Sequence, residues 1–288
     1  MATIITDLKE TFRRGNIYIQ LIYINVAVFI LTTLTEVMFQ LFNRSIAGVF
    51  EWLELPASVI RFILQPWSLL TYMFMHAGFM HILFNMLWLY WFGALFLSFF
   101  SAKHLRGVYI LGGICGGLLY MAAYNIFPYF RPMTDYSFML GASASVLATP
   151  IYPIRLLLFG TIRLKYLALI VIGTDLLFIT SSNAGGHIAH LGGALAGVWF
   201  AASLSKGSDL TSWINKCLDT LVSIVNFKPR KPKMKVHYGT GKQKDYDYNA
   251  RKKAQSDEID RILDKLKKSG YESLTTEEKK SLFDASKR

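Results

Sequence analysis

The chain has 288 residues, of which 53% are hydrophobic and only 17% charged, against about 25% charged in a soluble globular protein. That shortfall argues against a soluble fold and for a membrane protein. The net charge of +12 is unevenly spread: residues 1–205 carry 11 Lys/Arg and 7 Asp/Glu, residues 206–288 carry 20 and 12, so a long apolar body precedes a basic tail. Cys115, in an apolar run, and Cys217, in the tail, form neither a disulfide framework nor a CxxC site and leave the redox compartment open.

Arg13 and Arg14 precede the uncharged run 15–35, whose 21 residues suit a spanning helix better than a signal peptide. The first helix is therefore expected near 17–34 and is read as uncleaved. The long connection 35–71 mixes Trp52 and Trp67 with Leu53, Leu55, Ile60, Phe62 and Ile63, which suits the outer interface, as a lateral gate or an anchor. The uncharged stretch from Arg61 to Lys103 is too long for one span and contains Pro66, so the second helix is expected over 72–99. The third falls at 105–126, ended by Pro128, the fifth at 165–181 and the sixth at 186–204. The fourth starts near Phe138 and is closed by Pro150 and Pro153, because proline inside a helix removes a hydrogen bond and clashes with the preceding turn. Residues 138–148 would cover only about 16 Å of a core about 30 Å thick, leaving 151–159 to finish the crossing in distorted form.

Lys9, Arg13, Arg14, Lys103, Arg106, Arg155, Arg163, Lys165 and Lys206 flank one set of helix ends. Arg44, Arg61, Arg131, Glu36, Glu51, Glu54 and Asp135 lie in the opposite loops. The positive-inside rule then places both termini in the cytoplasm, in agreement with an even number of spans.

Polar side chains inside membrane helices are costly and mark functional sites by default. The second helix carries His76, His81 and Asn85, the fourth Ser143 and Ser145, the sixth His187 and His190, each cluster in the outer half of its helix. His81 and Asn85, four apart, share a face. Gly186, His190, Gly193 and Gly197 are spaced four, three and four, a ridge without side chains around one imidazole that lets helices approach closely. Gly141 and Ala142 make a similarly narrow start to the fourth helix, so a serine and a histidine can meet between helices four and six, with His81 and Asn85 on the same cavity.

The strings HILFN (81–85), GASA (141–144) and AHLGGALAG (189–197) occur in that order over about residues 15–205. In these the chain resembles the rhomboid family of intramembrane serine proteases, whose six-helix core carries HxxxN, GxSx and AHxxGxxxG motifs on helices two, four and six. The resemblance implies an all-α polytopic fold, a six-helix bundle with a small helical cytoplasmic tail. It implies a serine endopeptidase cutting in or near transmembrane segments of other proteins, in a bacterial plasma (inner) membrane, with the active site opening to the outer face.

By the same resemblance Ser143 is the nucleophile and His190 its general base. The oxyanion is held by the Ser143 amide with His81 and Asn85, and His76 lines the water-filled cavity. Gly141, Gly186, Gly193 and Gly197 serve close packing. The alternative is a catalytically inactive relative that binds transmembrane clients. Many members have a second glycine where Ala144 stands and an aromatic residue at Leu147 that packs on the histidine. Taken singly, Ser143 reads as a packing serine, Asn85 as a helix bridge, and His187 as a hydrogen-bonded or loop histidine at the start of the sixth helix. Ser145 is two residues along, on another face. No carboxylate is expected to complete a triad: Asp175 is placed in the cytoplasmic to middle part of the fifth helix and given no role. A zinc site built from His76, His81, His187 and His190 is set aside, since HExxH is missing and no carboxylate or thiolate is expected nearby, so neither metal nor cofactor is expected.

In the tail, Trp213, Cys217, Leu221 and Ile224 fall on one face of an amphipathic helix suited to the inner leaflet. The following basic linker, through residue 254, suits contact with anionic lipid, and no motif speaks for nucleic acid. Residues 255–288 read as two short helices, with Gly270 as a stop and Thr275 with Glu278 as a capping box. Ile259, Ile262, Leu263 and Leu266 would pack on Leu274, Leu282 and Phe283. Such tails resemble those of some bacterial rhomboids.

Overall fold

The apolar runs expected to hold helices one to six carry, among the described residues, α1 (Ile17–Leu41), α2 (Phe79–Leu97), α3 (Ala102–Ile126), α4 (Ser143–Leu147), α5 (Leu164–Leu177) and α6 (Ala184–Ser205). The structure is a computed structural model describing residues 6, 10–12, 15–149, 155–157, 161–225 and 242–286. It divides into two units, Met1–Phe227 and Lys228–Arg288. Among the described residues α1, α2, α3 and α6 are long and apolar enough to cross a membrane.

Several boundaries differ from the sequence-based expectation. α1 runs on to Leu41 past Glu36, whose carboxylate accepts a hydrogen bond from Gln40 Nε2 one turn later. α2 begins at Phe79 and not near Tyr72, because Tyr72–Phe74 form a 3-10 turn and Met75 is extended. α5 ends at Leu177, so Asp175 lies in its last turn and not in its first half.

The largest departure is α4. Phe138–Met139, expected to open it, is a strand (β2) paired antiparallel with Leu55–Pro56 (β1), and the Ala57 amide also donates to the Ser137 carbonyl at 2.9 Å. Gly141 then takes φ +130°, a left-handed value that no helix interior allows. Helix begins only at Ser143 and has five residues, about 7 Å at 1.5 Å per residue, so α4 is far shorter than a span. Within the stretch expected to finish the crossing, Arg155–Leu157 is extended (β3) and pairs with Thr161–Arg163 (β4); 151–154 and 158–159 lie outside the described residues.

So short a helix gains little from its own hydrogen bonds and depends on packing. Small residues supply it. A Cβ on Gly116 of α3 would stand 2.6 Å from Ala144 Cβ, and one on Gly112 2.6 Å from Ala148 Cβ. A Cβ on Gly193 of α6 would collide with the Ala144 carbonyl. Gly192 of α6 lies as tightly against Cys115 and Gly116 of α3. Side-chain-free ridges on α3 and α6 thus seat α4 between them, the close approach that small residues permit in membranes.

The connection after α1 contains short helical turns (Ala47–Phe50, Val59–Leu64 and Ser68–Thr71) and is tied down by Gln65 Nε2, which donates to the Glu51 and Glu54 carbonyls, and by Thr71 Oγ1, which donates to Leu53 O. Trp52 and Trp67 stack with centroids 6.0 Å apart and are exposed, as are Ile60, Ile63 and Leu64. Beyond α6, helix α7 (Ser212–Val225) docks on α3: Ile214 is buried, and Arg106 donates to Asn215 Oδ1 at 2.9 Å and to Asp219 Oδ1 at 2.8 Å. Its other face leaves Trp213, Cys217, Leu221 and Ile224 exposed together.

The second unit is a helical pair, α8 (Lys242–Ser269) and α9 (Thr276–Ser286), with Gly270 at φ +74° between them. Ile262 and Leu274 are buried, whereas Leu263 and Phe283 are exposed, so the contact is narrower than the sequence pattern implies. The Thr275 amide donates to Glu278 Oε2 at 2.9 Å and the Glu278 amide to Thr275 Oγ1 at 3.3 Å, a reciprocal capping box. Lys265 Nζ donates to the same Glu278 carboxylate at 2.8 Å and, with Thr275, holds its pKa down at about 2.

Candidate active site

A cleft of about 380 Å3 opens between α2, α4 and the start of α6, lined by Met80, His81, Phe84, Asn85, Trp88, Leu140, Ser143, Asn183, Gly186 and His190. Four side chains singled out in the sequence, Ser143, His190, His81 and Asn85, thus share one cavity although they come from three helices. Ser143 is the first residue of α4, where backbone N–H groups have no intrahelical acceptor. Among the described residues Ser143 Oγ makes no hydrogen bond to His190. Asn85 Nδ2 donates one hydrogen to the His81 carbonyl at 2.8 Å and keeps a second.

Gly141 stands against His81. A Cβ there would lie 2.9 Å from both Nε2 and Cε1 of the imidazole, and 3.8 Å from Ser143 Oγ. Its φ of +130° and this contact both demand glycine. The Gly141 amide donates to the Tyr72 carbonyl at 2.9 Å, and Tyr72 Oη donates to Gly113 O on α3 at 2.6 Å, so the approach to Ser143 is pinned from two sides.

His76 lies behind the cleft, its ring centroid 5.1 Å from that of His81, with both ring nitrogens buried and without a partner among the described residues. Ser145 points away from the cleft, fully buried near Gly113 of α3. Gly193 packs on α4 as expected from the glycine ridge. Gly197 is buried in α6. Gly186 lines the cleft, and a Cβ there would stand 2.6 Å from the Asn183 amide group, so it gives room to a side chain and not to a helix.

Asp175 overturns the expectation that no carboxylate stands near the histidines. Its Oδ1 lies 2.8 Å from His187 Nδ1 and 3.0 Å from His190 Nδ1, and the residue is 3% exposed. His187, one turn before His190 on α6, is therefore a hydrogen-bonded histidine, edged by Phe178 at 6.2 Å. Each of the three offers one donor atom within 4.8 Å of the others, so the spatial arrangement alone is compatible with a cation. The signal was present: Asp175 is the sole acidic residue between Asp135 and Asp209. A helix drawn to Ser181, beyond the observed end at Leu177, places that acid at the wrong depth. Asn183 had no such signal.

Residues 64–207 match the rhomboid domain family, and residues 242–288 match a family of unknown function, DUF6576. The chain is 30% identical over 157 residues to "RHOMBOID-like protein 12, mitochondrial" of Arabidopsis thaliana, the match covering 49% of this chain and 47% of that protein. The chain thus spans about half the length of that relative.

Proposed function

The chain belongs to the rhomboid family of multi-pass membrane proteins, and we propose that it is an intramembrane serine endopeptidase cleaving in or near transmembrane segments of other proteins. The observation that carries this reading is the convergence of Ser143, His190, His81 and Asn85 on one cleft. Ser143 Oγ attacks the scissile carbonyl while its proton passes to Nε2 of His190, the ring nitrogen left by the Nδ1 contact. The oxyanion forms beside the Ser143 N–H, the free hydrogen of Asn85 and His81. Collapse gives an acyl-enzyme on Ser143, and His190 hands its proton to the departing amine. Water then enters, loses a proton to His190 and releases the acid, restoring Ser143. The open Ser143–His190 separation suits a resting enzyme, since catalytic hydrogen bonds tighten when substrate binds.

Substrate helices reach the cleft from the bilayer, both termini lie on the positively charged side, and the exposed face of α7 rests on anionic lipid there. One observation favours the second reading, a non-cleaving binder of transmembrane clients: α4, which carries the serine, is only five residues long. Labelling of the purified protein with a fluorophosphonate decides between them. Labelling is expected in wild type and Ser145→Ala and lost in Ser143→Ala and His190→Ala; a folded wild type that does not label overturns the protease and favours the binder.

A further inference from the structure

Asp175 has 3% exposure, and burying a carboxylate is costly unless it is paired. The hydrogen bonds to its Oδ1 come from two imidazoles, while Oδ2 is buried without a partner among the described residues. With the Asp175 carboxylate as the acceptor, a neutral His190 held at 3.0 Å through Nδ1 carries its proton there. That choice leaves the Nε2 lone pair free, the form a general base requires. His187 shares the same oxygen but does not line the cleft, so of the two imidazoles only His190 faces both the carboxylate and the cavity holding Ser143.

We propose that Asp175 is a positioning residue, which through its hydrogen bond at Nδ1 sets the tautomer and ring orientation of His190 for proton transfer from Ser143. The inference rests on the protease reading. It replaces a serine–histidine pair by a chain of three groups contributed by α4, α6 and the last turn of α5. As the imidazole takes the serine proton at Nε2 it becomes a cation donating from Nδ1 to a carboxylate, and no proton need move to Asp175. Among the described residues the other titratable neighbours of His190 are His187 from its own helix and His81 from α2.

The test uses the full chain in detergent with EDTA throughout, so that loss of an ion bound by the same three side chains cannot imitate the effect. Fluorophosphonate labelling is followed to saturation in wild type, Asp175→Asn and Asp175→Glu. The 15N NMR spectrum of histidine-labelled protein reads the His190 tautomer, assigned by the signal missing in His190→Ala. Expected are an Nδ1–H tautomer in wild type and its loss in Asp175→Asn. The saturating labelling rate should fall about 100-fold or more in Asp175→Asn, with half-saturation unchanged and partial recovery in Asp175→Glu. An Nε2–H tautomer in wild type overturns the proposal even if the variants do not fold. Wild-type labelling with Asp175→Asn equally fast overturns it alone, whereas a wild type that never labels overturns the protease reading and the proposal together.

Discussion

α4 and α6 carry the serine and the histidine, and they are held in place by different means. α6 has 22 residues, enough for its own hydrogen-bond ladder, and His190 is steadied by a carboxylate from the neighbouring helix across a short turn. α4 has five residues, with the extended β2 segment and Gly141 before it. Its seat is made by glycines of α3 and α6, by the pairing of β1 with β2, and by the Gly141 to Tyr72 hydrogen bond. Placement of the serine is therefore a property of several distant segments packed together, whereas the histidine sits within a long helix that has its own ladder, packed on α3 and tied to α5 through Asp175. A reaction that needs the two within hydrogen-bond reach is exposed to damage at many points on the α4 side.

The comparison breaks most sharply at Gly193. Gly193→Val drives a branched side chain into the Ala144 carbonyl, backbone that cannot swing aside. We expect at least a 100-fold loss of labelling, as for a serine displaced by about 1 Å, and destabilisation of about 3 kcal/mol in a detergent unfolding titration. Leu195→Val, on the exposed side of the same helix, should leave labelling unchanged. Equal loss in both would show that α6 as a whole, and not the α4 seat, had been disturbed.

A smaller effect is expected from Gly141→Ala, which combines a left-handed φ with a methyl 2.9 Å from the His81 ring. The strain costs about 1–3 kcal/mol, and labelling should slow about tenfold as His81 is pushed from the oxyanion position. Wild-type labelling kinetics in this variant would show that His81 yields freely and takes no part.

The smallest effect concerns α9, a helix held by local means in the other unit. The Glu278 carboxylate titrates near 2 when folded against 4.5 for an ordinary glutamate. Its folded value is depressed, so its contribution is complete above the unfolded value and disappears as pH falls from about 4.5 to 2. Hydrogen exchange at the Thr275 amide should accelerate across that window and not in Glu278→Gln, where the step is already lost. An unchanged exchange rate would mean that the capping box holds without the charge.

Much of the candidate site is legible in the sequence, because its parts obey helical periodicity. His81 and Asn85 share a face at spacing four, and the glycines around His190 make a ridge wherever the helix lies. Gly270 and the Thr275–Glu278 box needed only local backbone geometry. Composition and charge placement likewise identified a polytopic helical protein, since about 20 apolar residues in a row have few other homes.

Other features escaped because no local rule contains them. The prolines after Thr149 announced a short fourth helix, but not that Phe138–Met139 would leave it altogether to pair with Leu55–Pro56, 83 residues away along the chain. Asp175 stood out as an intramembrane acid, yet its distance from His190 depends on where α5 stops and how tightly the turn to α6 closes. Side-chain pattern along one helix decides which face is polar and which is smooth. The meeting of a carboxylate, an imidazole and a hydroxyl from three helices is decided by packing depth and register between them, which only the assembled bundle sets.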